Sequence, residues 1–298
     1  MQQTEAIASS PTHHLPLSQR APFRAVQRAL FYMMMVALAL IFAGPLLWML
    51  STSLKTDPQV YTVPPIWIPN PVRLINYPEA LSSRPFEIYT YNTLRYALGA
   101  VAGALISNTL VAYGFARIRW PGRDIFFIIC LSTMMIPFQV RMIPLYLTFK
   151  NLGWLNTYLP LIVPTFLGVN AYYTFLLRQF FLTIPSELSD AARVDGCTEL
   201  GILIRIILPL AKPALAVIGL IQFMFAWDNY IGPLIYLNSE ALYPIALGLQ
   251  QFRTMFQEEL MWPYMMAAST AATAPVIILY FFVQRTFVEG ISITGLKG

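Results

Sequence analysis

Three stretches of this chain, 29–50, 96–116 and 261–283, carry no charged side chain, and each is long enough to cross a bilayer as a helix. A hydrocarbon core of about 30 Å takes about 20 helical residues, and within it every backbone N–H and C=O must be satisfied inside the structure. A fourth run, 155–177, is as long but contains Asn156, Pro160, Pro164 and Asn170. Two more are interrupted: 125–140 continues past Arg141 into 142–149, and 213–227 is bounded by Lys212 and Asp228. Both can span if those charges lie near a surface or face protein. At 57% hydrophobic and 11% charged residues, the chain has too much apolar surface for a water-soluble domain. The expectation is an all-α polytopic membrane protein with six transmembrane helices over 23–298. Residues 1–22, rich in Ser, Thr, Gln, His and Pro, read as a disordered tail.

With the N-terminus inside, the 19 Lys and Arg residues divide 12 inside to 7 outside, which places both termini in the cytoplasm. The net charge of +5 implies no nucleic-acid partner, because the basic residues border apolar runs and form no single patch. Cys130 sits in an apolar run and Cys197 in a polar one, a placement that speaks against a disulfide or metal site. The loop 51–95 carries seven prolines, from Pro58 to Pro85. That density argues against long helices and for an ordered extracytoplasmic wrap, with a plain connector as the alternative.

Catalysis finds few tools here. The two histidines, His13 and His14, both lie in the tail, so no histidine base is available in the body. There is no metal-ligand cluster and no G-x-x-x-x-G-K-[ST] phosphate loop, so no catalytic or metal residue is assigned and any ATP and Mg must be held by partner subunits.

The polar interruption 185–213 is the part of the chain that a soluble partner could reach. Ser186 can cap a helix carrying Glu187 and Asp190 in or near its first turn, where the dipole favours acids. Asp195-Gly196 supplies a turn, since glycine tolerates the left-handed conformation that ends helices. A second helix should start near Thr198 and run through Ile202, Ile206 and Ile207 to Pro209 and Pro213. The unit reads as a short amphipathic helix on the inner surface, joined to a membrane helix; the alternative is a mere lipid-boundary anchor.

Asp228 is the other singular position. About 22 Å of helix separates it from Pro213, and a lipid-facing carboxylate at that depth would cost about 2.5–3.5 kcal/mol. It should face a cavity or a partner. Trp227, Asn229 and Tyr230 add aromatic surface and hydrogen bonding suited to a polyol, although a polar interhelical lock fits as well. Asn108 and Asn170 are further candidates for the same pathway.

Asp190-Ala191-Ala192, Gly196, Ile206 and Leu208-Pro209 together resemble the EAA signature of membrane subunits of bacterial ATP-binding-cassette importers, with aspartate in place of the usual glutamate. The 112–117 run AYGFAR, Pro121-Gly122-Arg123, Ile136-Pro137, Ile143-Pro144, Leu152-Gly153, Asn156-Thr157, Trp227-Asp228-Asn229 and the closing 290–298 are similar to its carbohydrate, maltose-importer-like branch. The resemblance covers nearly everything from Ala29 onwards. It implies an ATPase-coupling role for Glu187, Asp190, Ala191, Ala192, Asp195 and Gly196. It also implies a second homologous permease, two ATP-binding subunits, an extracytoplasmic solute-binding protein and a carbohydrate cargo at the bacterial cytoplasmic membrane. Glycerol phosphate or another small polar solute is the alternative cargo, and a membrane scaffold or enzyme the distant alternative function.

Overall fold

The structure, a computed structural model, describes residues 17–168, 170–255 and 261–295. Among them the backbone is helical with connecting turns and no strand. Helix α1 (Leu17–Ser53) leads into two short helices, α2 (Asp57–Val60) and α3 (Asn76–Ser82), then α4 (Phe86–Ala116). Next come α5 (Arg123–Ser132), α6 (Phe138–Asn151), α7 (Leu159–Ile162) and α8 (Ala171–Thr183). The polar interruption forms α9 (Ser186–Val194), α10 (Glu199–Ile202), a π-helical turn (Leu203–Ile207) and α11 (Leu208–Leu210). The chain closes with α12 (Lys212–Trp227), α13 (Ile231–Tyr236), α14 (Ile245–Met255) and α15 (Trp262–Gly295). Of the segment read as a tail, 17–22 belongs to α1, and 1–16 lies outside the described residues, as do 296–298 of the closing motif.

Four helical stretches are long and apolar enough to cross a membrane: Ala25–Ser53, Phe86–Ala116, Leu159–Thr183 and Trp262–Phe282. Two further spans are broken. Arg123–Met135 and Phe138–Asn151 meet at 96°, and the span Lys212–Trp227 is bent by 81° from 199–210, the end of the polar interruption that leads into it. The expected third span is therefore not one straight rod. Its break follows from Pro137: the residue before a proline is pushed out of the helical region, and Ile136 is extended at φ −84°, ψ 109°. Arg123–Met135 before the break combines ten α-helical and three 3-10 residues and rises about 20 Å, so the break falls inside a ~30 Å core and not at its edge.

The loop between the first two spans is an ordered wrap. Thr56 and Gln59 form a capping box on α2, Gln59 donates to the Asn70 carbonyl at 2.6 Å, and Asn76 donates to the carbonyls of Ser53 and Lys55 at 2.9 and 2.8 Å. Its last ten residues, 86–95, are helical and extend α4, because Glu87 and Arg95 break an uncharged run without breaking a helix. At the same end, Tyr89 and Arg84 donate to Glu240, and Asn92 donates to the carbonyls of Ala241 and Tyr243, clamping 240–243 onto α4. Asn156 adopts φ 58°, a left-handed conformation that asparagine tolerates better than most residues, and its Oδ1 accepts from the backbone of Asn238 and Ser239.

Helix α4 is the axis of the bundle, packing on α12, α8 and the 3-10 turn 163–167. That last contact is close: a methyl added at Gly103 would sit 2.2 Å from Thr165 Oγ1 and 2.6 Å from the Phe166 ring. We expect Gly103→Ala to cost about 1–3 kcal/mol through overpacking, seen as a drop of several degrees in the thermal midpoint of the purified complex. Gly114→Ala, whose methyl would meet nothing within 4 Å, should leave the midpoint level or raise it.

Candidate functional site: an exposed polar helix and a cleft within the bundle

The polar helix α9 is set by its two ends. Ser186 is its first helical residue and makes no capping bond; Pro185 is the N-cap, with φ −54° suited to a helix entry. The expected serine cap is thus replaced by proline geometry. At the other end Gly196 lies at φ +81°, Cys197 N–H donates to Ala192 C=O at 2.9 Å, and Gly196 N–H donates to Arg193 C=O at 3.0 Å. These are the two bonds of a Schellman motif. No heavy atom lies within 4 Å of a Cβ built at Gly196, so this position requires glycine for its backbone angle and not for space. Thr198 then caps α10, accepting from Gly201 N–H at 3.2 Å.

One face of α9 is built into the protein. Ser189 and Ala192, three residues apart and so on one side of the helix, are buried. Ala192 joins an apolar core with Tyr113 of α4, Leu177 and Phe181 of α8, Ile202, Ile207, and Ile218 of α12. The opposite face is bare: Leu188 and Val194 are exposed, Val194 by 88%, and Ala191 between them is exposed as well. The two alanines, adjacent in sequence, therefore face different ways. Glu187, Asp190 and Asp195 are exposed too.

Polar bonds fasten the buried side. Arg117, at the end of α4, donates to the carbonyls of Phe181 and Ile184, fixing the exit of α8 just ahead of α9. Arg193 donates to Asp190 Oδ1 and Glu199 Oε1, both at 2.7 Å, and Tyr113 of α4 donates to Glu199 Oε2 at 2.7 Å. The hydrogen bond from Arg193, then that from Tyr113, holds the Glu199 carboxyl below its ordinary range. Reciprocally, the bond to Glu199 raises the pKa of Arg193. A broad cleft of about 1090 Å³, walled by Arg117, Arg119, Arg123, Glu187, Asp190 and Arg193 among others, opens beside α9.

A second cleft, about 350 Å³, lies between α4, α6, α8 and α12. It holds three of the residues proposed for the cargo pathway, Asn108, Asn170 and Asn229. Each has a structural duty. Asn108 bonds Ala104 C=O and accepts from Thr174 of α8 at 3.0 Å. Asn170 caps α8 through its Oδ1, and Asn229 donates to Tyr96 at 3.1 Å while accepting from Gly232 N–H. The other three lie off the cleft. Trp227 is buried against Phe223, its indole N–H donating to Ala272 C=O at 3.1 Å, which makes it a packing residue between α12 and α15. Asp228, the C-cap of α12, is exposed and its carboxylate bonds nothing among the described residues. Tyr230 is half-buried. Among the wall residues that the sequence reading does not single out are two polar ones, Gln222 and Thr133. Gln222, inside an uncharged run, is 7% exposed with no side-chain bond among the described residues, and the signal for it was a lone amide in a membrane span. Thr133 sits at the α5–α6 break.

Residues 101–293 match the family model of the binding-protein-dependent transport system inner membrane component. The chain belongs to this family. Among its relatives, the sulfoquinovosyl glycerol transport system permease protein of Agrobacterium fabrum is 32% identical over 85% of this chain and 88% of its own. The arabinooligosaccharides transport system permease protein of Halalkalibacterium halodurans is 35% identical over 70% and 73%. A solved bacterial ABC transporter involved in the import of the acidic polysaccharide alginate contains a chain 28% identical to this one, with a TM-score of 0.77 over 92% of this chain and 99% of that one. The permease is accordingly a transport subunit of the inner membrane.

A depressed carboxyl contributes stability above its unfolded pKa, about 4.3 for Glu, and loses it as pH falls through the folded value. We expect Glu199→Gln to lower the permease's stability most at neutral pH. The gap from wild type should close below the ordinary carboxylate range, as measured by thermal melts across pH 3–8.

Proposed function

We propose that this permease is one membrane subunit of an ATP-binding-cassette importer that passes a carbohydrate across the bacterial cytoplasmic membrane by alternating access. Both termini and α9 then lie on the cytoplasmic side, in keeping with the 12 to 7 division of basic residues. A second homologous permease, two ATP-binding subunits that hold ATP and Mg, and an extracytoplasmic solute-binding protein complete the machine. Relatives whose named cargoes are built from sugars support the choice of cargo.

The observation that carries this reading is the two-sidedness of α9. Its outward stripe, Leu188, Ala191 and Val194, is an apolar strip at helical spacing flanked by Glu187 and Asp190, which suits a groove on a soluble partner. Its inward face is locked into the same core as α4, α8 and α12, the helices that wall the mid-depth cleft. A push on the stripe therefore moves the cleft walls. When partner ATPases close on ATP, α9 carries that displacement into the bundle, and the cleft changes the side on which it opens. The cargo meets an open, donor-rich cleft with the exposed Tyr172 and Phe225 supplying ring surface.

Complexes carrying Ala191→Trp or Asp190→Arg, reconstituted with their partners, should assemble at wild-type levels and insert normally, but lose uptake by about ten-fold or more, with ATP hydrolysis no longer stimulated by loaded binding protein. Gly196→Val should act in the same direction, because a β-branched residue at φ +81° costs about 1–2 kcal/mol. Wild-type uptake in all three would remove α9 from the coupling path.

A further inference from the structure

The mid-depth cleft contains one ionisable wall residue other than tyrosine, Arg141, in the first turn of α6 just after the break at Thr133–Pro137. Among the described residues its guanidinium makes no hydrogen bond, ion pair or ring contact, and the wall holds no Asp or Glu. Asp228 adjoins Asn229 in sequence but is not a wall residue. A cation within the hydrocarbon span is costly unless water or a counter-charge meets it, and Arg141 is exposed to the open cleft. Its five donors are free.

The surroundings point the same way. Asn170 spends its carbonyl oxygen on the α8 cap, so its amide N–H groups are left for the cleft. The N-terminal end of the thirteen-residue α8 reaches the wall at Ala171 and Tyr172, presenting the positive end of its dipole. Gln222, nine-tenths buried and without a bond among the described residues, lines the same space. A broken helix at mid-depth together with a helix N-terminus is how membrane transporters hold anionic groups, and a guanidinium recognises carboxylate, phosphate and sulfonate oxygens through paired N–H donors.

We propose that Arg141 receives an anionic group of the transported polyol, a carboxylate or a phosphate, in this cleft. The assignment rests on the carbohydrate-importer reading above. The test is uptake into proteoliposomes by the whole complex with its binding protein. The labelled probes are a glucuronate-containing disaccharide, glycerol 3-phosphate and a neutral glucose disaccharide. The wild type should take up at least one of the two anions. Arg141→Gln should lower that uptake by about ten-fold or more, and Arg141→Lys should restore a large part of it. Uptake of the neutral sugar, if present, should be the same in all three. The anion arms separate a carboxylate cargo from a phosphate one. Wild-type uptake of the neutral sugar alone would overturn the Arg141 assignment while leaving the importer reading intact, as would undiminished anion uptake by Arg141→Gln. Equal loss by the Gln and Lys variants would make Arg141 a structural residue. Uptake of no probe by an assembled complex that hydrolyses ATP would overturn the carbohydrate reading, and the anion site with it.

Discussion

Everything else in this fold rests on the fastening made by Arg117. Its guanidinium lies at the end of α4 and donates to the carbonyls of Phe181 and Ile184, the last acceptors of α8. Helix C-termini leave such carbonyls unpaired, and a cation there also complements the dipole. One side chain thus satisfies the end of α8, joins it to α4, and sets the point where the chain turns into α9. The Tyr113–Glu199–Arg193 bonds repeat the tie one turn further on, from α4 to α10 and back to α9. Between the two ties lies a continuous apolar core that includes Leu177, Phe181, Ala192, Ile202 and Ile207. The exposed stripe of α9 is therefore mounted on a stiff base.

That stiffness gives a division of labour within one chain. At one end, exposed apolar residues on a rigid short helix form a handle. Within the bundle, the helices that the handle is attached to part around a cleft whose polar wall residues include neutral amides, tyrosines and a single arginine. At the opposite end, the 51–85 wrap and the 240–243 clamp fix the beginning of α4 against the rest. Force and recognition meet only through α4, α8 and α12. In the proposed importer, partner ATPases supply the energy and it enters through that handle.

Much of this was legible in the sequence. Uncharged run length located the spans, and Gly196 and Thr198 marked where α9 ends and α10 begins, because the left-handed angle and the hydroxyl cap each demand a residue type. The break at Pro137 was not, since a count of uncharged residues registers no proline and reads 125–149 as one rod. The start of α4 was set ten residues late for the converse reason: Glu87 and Arg95 end an apolar run, yet helices routinely extend beyond the bilayer. Near Asp228, composition drew attention to the aromatic Trp227, whereas depth and packing put Trp227 in the core and Asn229 in the cleft wall. Gln222 was hidden by its neighbours. A single amide barely changes a hydropathy average, and only the packing of α12 on α4 reveals which side of the helix it faces.

Coupling through α9 requires that it move as one body with α4. The direct measurement is the distance between spin labels at Val194 on α9 and Leu110 on α4, both exposed, in the assembled transporter without nucleotide and with ATP bound. Rigid coupling predicts the same distance distribution in both states while transport-competent closure proceeds. A shift of several ångströms between the two labels would mean that α9 pivots on its own, and the proposed path from partner to cleft would fail.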